Sequence, residues 1–172
     1  MKRLSAVAGV VAAILCTACG NQPSPVNPSA VSPSVQALGA DALPFRGSFE
    51  GTQTVTPLTP PFASVEVSVT GTGAHLGRFT MTLPHTVNFA TRSATGTGTI
   101  VAANGDTIVA AFTGQAEVGA VVSIVEHATI TSGTGRFAGA TGSFTIERVF
   151  DGAAGTTSGS FAGTISAPGA GQ

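Results

Sequence analysis

The sequence predicts an all-β protein whose main domain is an eight-stranded antiparallel barrel. Strand-like runs follow one another at short spacing from Phe45 onward, and turn-forming residues separate them. Only 9% of the residues are charged, and an abundance of Gly, Thr and Val favours strands and tight turns over helices. Successive strands with short links can close into a barrel, which removes the open edges of the sheet. An immunoglobulin-like sandwich is the alternative architecture.

The first eighteen residues predict a secretory signal peptide. Lys2 and Arg3 form a short positive segment, and the apolar run from Leu4 to Leu15 follows it. A run of this length is too short to span a bilayer as a helix. We therefore expect residues 1–18 to direct export of the protein.

The end of this segment resembles a bacterial lipoprotein signal, because Cys19 follows the small residue Ala18 and precedes Gly20. The resemblance implies that Cys19 is lipidated, becomes the mature N-terminus and anchors the protein to the cell envelope, at the outer membrane in a Gram-negative cell. Cys16 stands where such signals usually have leucine. The alternative is a secreted or periplasmic protein that is cleaved near Ala18.

Residues 19–44 predict a flexible linker rich in proline and serine, since five of the ten prolines fall between Asn21 and Pro44. From Cys19 onward, five arginines and eight acidic residues leave a formal net charge of −3. The arginines form no basic stripe, so the sequence predicts no binding to nucleic acid. Attachment to a membrane is expected through the N-terminal lipid alone.

Period-two alternation marks the strands of the barrel domain, which we expect to occupy residues 45–168 before a short tail, 169–172. Asn104-Gly105-Asp106 predicts a hairpin turn between the fourth and fifth strands. If the third strand continues past Pro84, that proline is expected at an edge or a bulge. The eight predicted strands are Phe45–Thr56, Ala63–Thr72, Leu76–Leu83, Ser93–Ala103, Thr107–Glu117, Ala120–Thr131, Thr141–Asp151 and Thr156–Ser166.

The stretch from Ile130 to Phe144 concentrates glycines between two strands, at positions 133, 135, 139 and 142. Glycine at this density predicts backbone that turns, bulges or passes close to other backbone. We therefore interpret the stretch as a bulged connection between the sixth and seventh strands. We expect Arg136 within it to pack its aliphatic stem and to bond loop carbonyls.

Residues Gly133 to Gly142, GTGRFAGATG, resemble the glycine-rich signature of the allene oxide cyclase and dirigent barrel superfamily, which has bacterial members. The resemblance implies an eight-stranded barrel from Phe45 to Pro168 with a lumen that holds an apolar small molecule. In the plant families that lumen guides cyclisation or stereoselective radical coupling. Dirigent-type sites use tyrosines, and this chain has none, so no catalytic set can be carried over.

Two charged residues interrupt apolar strand faces. Glu126 shares a face with Ile124 and Ala128, and Arg148 shares a face with Ile146. In an antiparallel pair we expect Glu126 directly opposite Arg148, where the two could anchor a ligand in the lumen. The alternative is a structural ion pair at a barrel end or on the outer surface.

The sequence predicts no metal site and no cofactor. His75, His85 and His127 have no metal-ligand spacing, and neither a nucleophile elbow nor a phosphate loop occurs. We expect a non-catalytic envelope protein whose barrel binds an apolar small molecule. The alternatives are a structural or interaction barrel with a filled core, which could form oligomers, and a cyclase or isomerase like the allene oxide cyclases.

Overall fold

The computed structural model describes residues 42–166, which form a closed antiparallel barrel of eight strands in sequence order. The predicted fold class is confirmed, and the sandwich is excluded because the first strand pairs with both the second and the eighth. Cys19 and most of the predicted linker lie outside the described residues, as does the tail. The strands are β1 (Leu43–Pro57), β2 (Phe62–Gly73), β3 (Gly77–Asn88), β4 (Ser93–Ala102), β5 (Thr107–Val118), β6 (Val122–Gly133), β7 (Thr141–Asp151) and β8 (Thr156–Ser166).

Strand alternation places the apolar residues inside the barrel. In β2, Val65, Val67 and Val69 are buried while Glu66 and Ser68 between them face outward. The strand β1 begins two residues earlier than predicted, because Leu43 and Pro44 pair with Ile165 and Thr164 of β8. The two residues therefore belong to the barrel and not to the linker.

Pro84 lies within β3 and not at an edge or a bulge, contrary to the prediction. A closed barrel has no edge strand, and the β3–β4 register is the same on both sides of the proline. Leu83 and Pro84 are simply left out of the ladder with β4. Proline lacks the N–H that the ladder would need, so the gap is the expected local result.

The two ends of the barrel differ. At the closed end, the connections of residues 74–76 and 134–140 fold inward and bury Leu76 and Phe137 completely. Below them, Phe45 contacts Phe144 and Phe161 with ring centroids 5.2 and 4.9 Å apart. Side chains therefore fill this half of the barrel, which supports the packing of the domain.

The other end, here called the mouth, carries the connections of residues 58–61, 89–92, 119–121 and 152–155. Several large apolar side chains are exposed around it, with Phe89 at 59% and Val118 at 68% of their full accessibility. Leu58, Phe62 and Val121 are exposed at the same end. The mouth is therefore rimmed by apolar surface, whereas the closed end buries its large apolar side chains.

The glycine-rich stretch from Ile130 to Phe144 contains a bulge as predicted, but the bulge lies within β6 and not in the connection to β7. Thr131 is the extra residue where the β5–β6 register shifts, and a short 3-10 helix (Gly135–Phe137) follows. Gly135 has a φ of +54°, and a Cβ there would collide with the Asp106 carboxylate. Only glycine suits this position, because the turn needs a left-handed backbone and a close approach.

Asp106 joins the two neighbouring connections at the closed end. Its carboxylate accepts from the Arg136 backbone N–H at 3.0 Å and from Asn104 Nδ2 at 2.6 Å. The Arg136 Nε lies 4.0 Å from the same carboxylate, and no side-chain bond to a loop carbonyl forms among the described residues. The predicted bonds from the Arg136 side chain to loop carbonyls are therefore wrong, because the loop is held by a bond from the Arg136 backbone amide to Asp106.

Candidate functional site

The buried polar and charged side chains of residues 42–166 are Gln53, His85, Glu126, Arg148 and Thr157. All five come from the half of the barrel nearest the mouth, at the C-terminal ends of β1, β3 and β7 and the N-terminal ends of β6 and β8. Gln53, Glu126, Arg148 and Thr157 form one hydrogen-bonded network, and His85 lies beside it. We call these five residues the polar cluster.

Arg148 is the centre of the polar cluster. Its Nε and Nη2 donate to the two carboxylate oxygens of Glu126 at 3.1 and 2.9 Å, which is a bidentate ion pair. Its Nη1 donates to Gln53 Oε1 and lies 3.5 Å from Thr157 Oγ1. Glu126 is fully buried and Arg148 is 4% exposed, so the pair lies inside the barrel and not on its surface.

The predicted pairing of Glu126 with Arg148 is confirmed, but the predicted register is wrong by two residues. Glu126 lies opposite Ile146, and Ile124 lies opposite Arg148. The long arginine side chain reaches its partner diagonally across the two strands. The seven-residue connection between β6 and β7 sets this offset, which strand alternation alone does not determine.

Three interior glycines make room for the polar cluster, each directly opposite one of its ionisable members. Gly96 faces His85, Gly114 faces Glu126 and Gly159 faces Arg148. A Cβ on Gly114 would come within 2.8 Å of Glu126 Cγ, and one on Gly159 within 2.7 Å of Arg148 Cβ. The bulky polar side chains therefore occupy space that their cross-strand partners leave free.

His85 is held in one orientation by its backbone and by an aromatic neighbour. Its Nδ1 lies 2.8 Å from the carbonyl oxygen of Leu83, and its ring meets Phe112 edge to face at 5.5 Å. A carbonyl only accepts, so Nδ1 carries the proton and Nε2 is the acceptor of the neutral ring. Burial lowers the pKa of His85, an effect larger than the opposing bond to Leu83 and the field of Glu126.

A pocket of about 180 Å³ opens between the polar cluster and the mouth. Polar groups of Gln53, His85, Glu126 and Arg148 form its floor, and Arg92 reaches it from the 89–92 connection. Such a pocket combines a largely apolar lining with a few fixed polar groups, as ligand sites do. The apolar residues that line it are Val55, Val65, Val87, Phe89, Ala94, Ala116, Val118, Val122, Ile124 and Phe150.

A larger concavity of about 1030 Å³ lies across the outer faces of β8, β1, β2, β3 and β4. Short outward-facing side chains such as Ser48, Thr70 and Ser158 line much of it. It contacts no member of the polar cluster and has no enclosed floor. The mouth pocket is therefore the better candidate for a specific small-molecule site.

Neither a metal-binding cluster nor a membrane-spanning helix occurs in the part of the chain that the structure describes. Residues 42–166 contain no group of three or more His, Cys, Asp or Glu side chains arranged to hold a metal ion. No helix in that range is long and apolar enough to cross a membrane. Cys19, the predicted lipidation site, lies outside the described residues.

Gln53, His85 and Thr157 were missed by sequence reasoning, although each carries a signal; Thr157, for example, is in phase with the interior residues Phe161 and Ile165. Gln53 is in phase with the interior residues Phe45 and Phe49, and His85 continues the interior series of β3. A polar residue in phase with buried neighbours identifies an interior site when the strand length is known. The positions of the three glycines opposite His85, Glu126 and Arg148 could not be predicted, because the sequence does not fix the register between neighbouring strands.

The fold and the site together define a closed antiparallel barrel with a filled half, a buried polar cluster and an apolar mouth. Neither a scan of protein-family models nor a search of curated proteins finds a match to this sequence. The functional conclusions below therefore depend on the geometry of the site and on the motifs in the sequence.

Proposed function

We propose that this protein is an exported, lipid-anchored envelope protein whose barrel binds an apolar small molecule at its mouth without catalysis. The observation that carries the proposal is the mouth pocket, with apolar walls and a floor of fixed polar groups. The signal-like segment and Cys19 support export and lipidation. The strand count and the GTGRFAGATG signature support membership of the allene oxide cyclase and dirigent superfamily.

The volume of the pocket limits the part of a ligand that the barrel encloses. At about 180 Å³ it is smaller than the roughly 300–1,000 Å³ of common ligand sites. It suits a ring system or one end of a longer molecule, whose remainder would contact the exposed Phe89 and Val118. The ligand class is therefore a small or elongated apolar molecule and not a large polar one.

Binding can be tested with N-phenyl-1-naphthylamine, a neutral apolar dye that fluoresces when it leaves water. The chain has neither Trp nor Tyr, so protein fluorescence will not interfere. We expect saturable binding by the wild type, and an affinity at least about tenfold weaker in Ala116→Phe, whose ring fills the pocket. Ala111→Phe, on the outer face of the same strand, is the matched control and should bind as the wild type does.

Two outcomes would count against a ligand site at the mouth. One is the absence of saturable binding by a folded wild-type protein, which favours the structural barrel with a filled core. The other is equal binding by Ala116→Phe and the wild type, which places the dye elsewhere. If neither outcome occurs, native mass spectrometry after exposure to envelope lipids would identify a physiological ligand by its mass.

A cyclase or isomerase is the second candidate, and the polar cluster favours it. Glu126 and His85 line one pocket, and an acid close to a second ionisable group is the minimum for proton transfer. Arg148 already engages both oxygens of Glu126, so a base role would fall first to His85. Recovery of the bound compound in a chemically altered form would support the enzyme over the binding protein.

The lipid anchor has its own test. Cells that express the wild type and are fed a radiolabelled or alkyne-tagged fatty acid should label the protein, and Cys19→Ser should lose the label. Cys16→Ser is the matched control, because Cys16 lies before the expected cleavage point. Equal labelling of wild type and Cys19→Ser would exclude Cys19 as the acylated residue.

A further inference from the structure

One acceptor atom of the polar cluster is left without a partner and is reachable from the pocket. His85 Nε2 makes no hydrogen bond within residues 42–166, and it is not among their fully buried unpartnered atoms. The His85 side chain lines the pocket, while its Nδ1 is fixed on the Leu83 carbonyl. Nε2 is therefore a fixed acceptor in a mostly apolar chamber.

The arginine on the pocket floor is already satisfied. Arg148 uses Nε, Nη1 and Nη2 on Glu126, Gln53 and Thr157. An anionic ligand would have to displace Glu126, which would leave a buried carboxylate without a partner. The opposite charges of Arg148 and Glu126 balance, so the floor offers no net charge to attract an ion.

Burial keeps the His85 ring in the accepting form, against the pull of the nearby carboxylates. Glu126 and Glu66 favour the protonated ring, whereas Arg148 and burial oppose it, and burial has the largest effect. A neutral ring with Nδ1 protonated can only accept at Nε2. Arg92 is the charged side chain of the pocket that is exposed at the mouth, where water screens its pull on an anion.

We propose that the mouth pocket selects a neutral apolar molecule bearing one hydroxyl group, and that this hydroxyl donates to His85 Nε2. The inference rests on the proposed function, because it names the ligand class of the same site. His85 then determines which ligand binds, whereas Glu126 and Arg148 have a structural role and shape the floor of the pocket. The ligand is thus an aromatic or aliphatic alcohol, and not a fatty acid.

Three matched naphthalenes test this selection by calorimetric titration at pH 7.5. We expect 2-naphthol, a donor, to bind about tenfold more tightly than 2-methoxynaphthalene, which has the same ring and no donor. The methyl ether is the more apolar of the two, so burial alone would favour it instead. The anionic 2-naphthoate should bind most weakly.

A substitution then locates the contact. His85→Phe keeps a ring against Phe112 but removes the acceptor, so 2-naphthol and 2-methoxynaphthalene should bind it equally. Circular dichroism would verify that the variant is folded. His127→Phe, at an exposed histidine on the outer face, is the matched control and should keep the tenfold preference.

Each other outcome has a definite meaning. Equal binding of naphthol and methyl ether by the wild type, both weakened by Ala116→Phe, overturns the hydroxyl selection and leaves the proposed function standing. Tightest binding of 2-naphthoate, lost in Arg92→Gln, overturns it in favour of an anion held at the rim. Binding of none of the three compounds would contradict the proposed function as well.

Discussion

Replacing Glu126 by glutamine should strongly destabilise the barrel, because it leaves the Arg148 guanidinium buried without a counter-charge. Both side chains are nearly inaccessible, and the carboxylate accepts two of the arginine's hydrogen bonds. Breaking a buried pair by removing one partner costs about 3–5 kcal/mol. Since domains of this size unfold with about 5–15 kcal/mol, the loss should be large enough to measure without ambiguity.

The assay is urea unfolding followed by far-ultraviolet circular dichroism, because the chain lacks Trp and Tyr and gives no useful intrinsic fluorescence. Glu126→Gln, Arg148→Met and the double variant form a double-mutant cycle. The double variant should be less destabilised than the sum of the singles by about 2–3 kcal/mol, because no charge remains unpaired. Gln53 is unchanged in the wild type and in the three variants, so the cycle measures the coupling between positions 126 and 148.

The partly exposed ion pair of Arg136 and Asp106 at the closed end provides the comparison. Arg136 Nε lies 4.0 Å from Asp106, and both side chains are partly exposed, so Arg136→Met should cost no more than about 1 kcal/mol. If Glu126→Gln costs as little as Arg136→Met, the polar cluster is not desolvated and our reading of it is wrong. Additive losses in the cycle would equally contradict a coupled pair.

Two further predictions concern pH and the closed end. Burial lowers the pKa of His85 in the folded protein, whereas the unfolded chain keeps the ordinary pKa of about 6.5. When the pH falls below about 6.5, His85 is therefore protonated in the unfolded chain before it is protonated in the folded protein. Stability should therefore fall as the pH drops below about 6.5, by at most about 1.4 kcal/mol per pH unit, and His85→Phe should remove that part of the slope in urea titrations. Asp106→Ala should speed tryptic cleavage after Arg136, as mapped by mass spectrometry, because the Arg136 amide loses its acceptor. Asp151→Ala, which removes the cap of the β7–β8 turn, should leave cleavage after Arg136 unchanged.

Much of the barrel follows from local patterns that a reader can find in the sequence. Seven of the eight strands lie within two residues of their predicted bounds, since period-two alternation and turn residues are local properties, whereas β3 continues five residues past its predicted end at Leu83. The hairpin at Asn104 and Asp106 forms as expected, with their side chains bonded at 2.6 Å. Pro84 was misplaced because the closure of the sheet, and not the proline itself, decides whether a strand has an edge.

The candidate site depends on contacts between strands that such local patterns cannot determine. Phase along β6 and β7 placed Glu126 and Arg148 on apolar strand faces, which is a local property too, but only the structure shows that these faces point into the barrel. Their diagonal contact depends on an offset of two residues set by the connection between the strands. Phe137 was unremarkable within a glycine-rich loop, yet its full burial helps to close one end of the barrel.

The sequence by itself determined the all-β class, the strands, their apolar faces and the presence of one charged residue on the apolar face of each of β6 and β7. Alternation and turn chemistry act over a few residues, so they can be read along the chain. Only the tertiary structure decided that Gln53, His85 and Thr157 join that pair, and that Gly114 and Gly159 leave room for it. These residues meet through register and closure, which depend on packing between strands far apart in the chain.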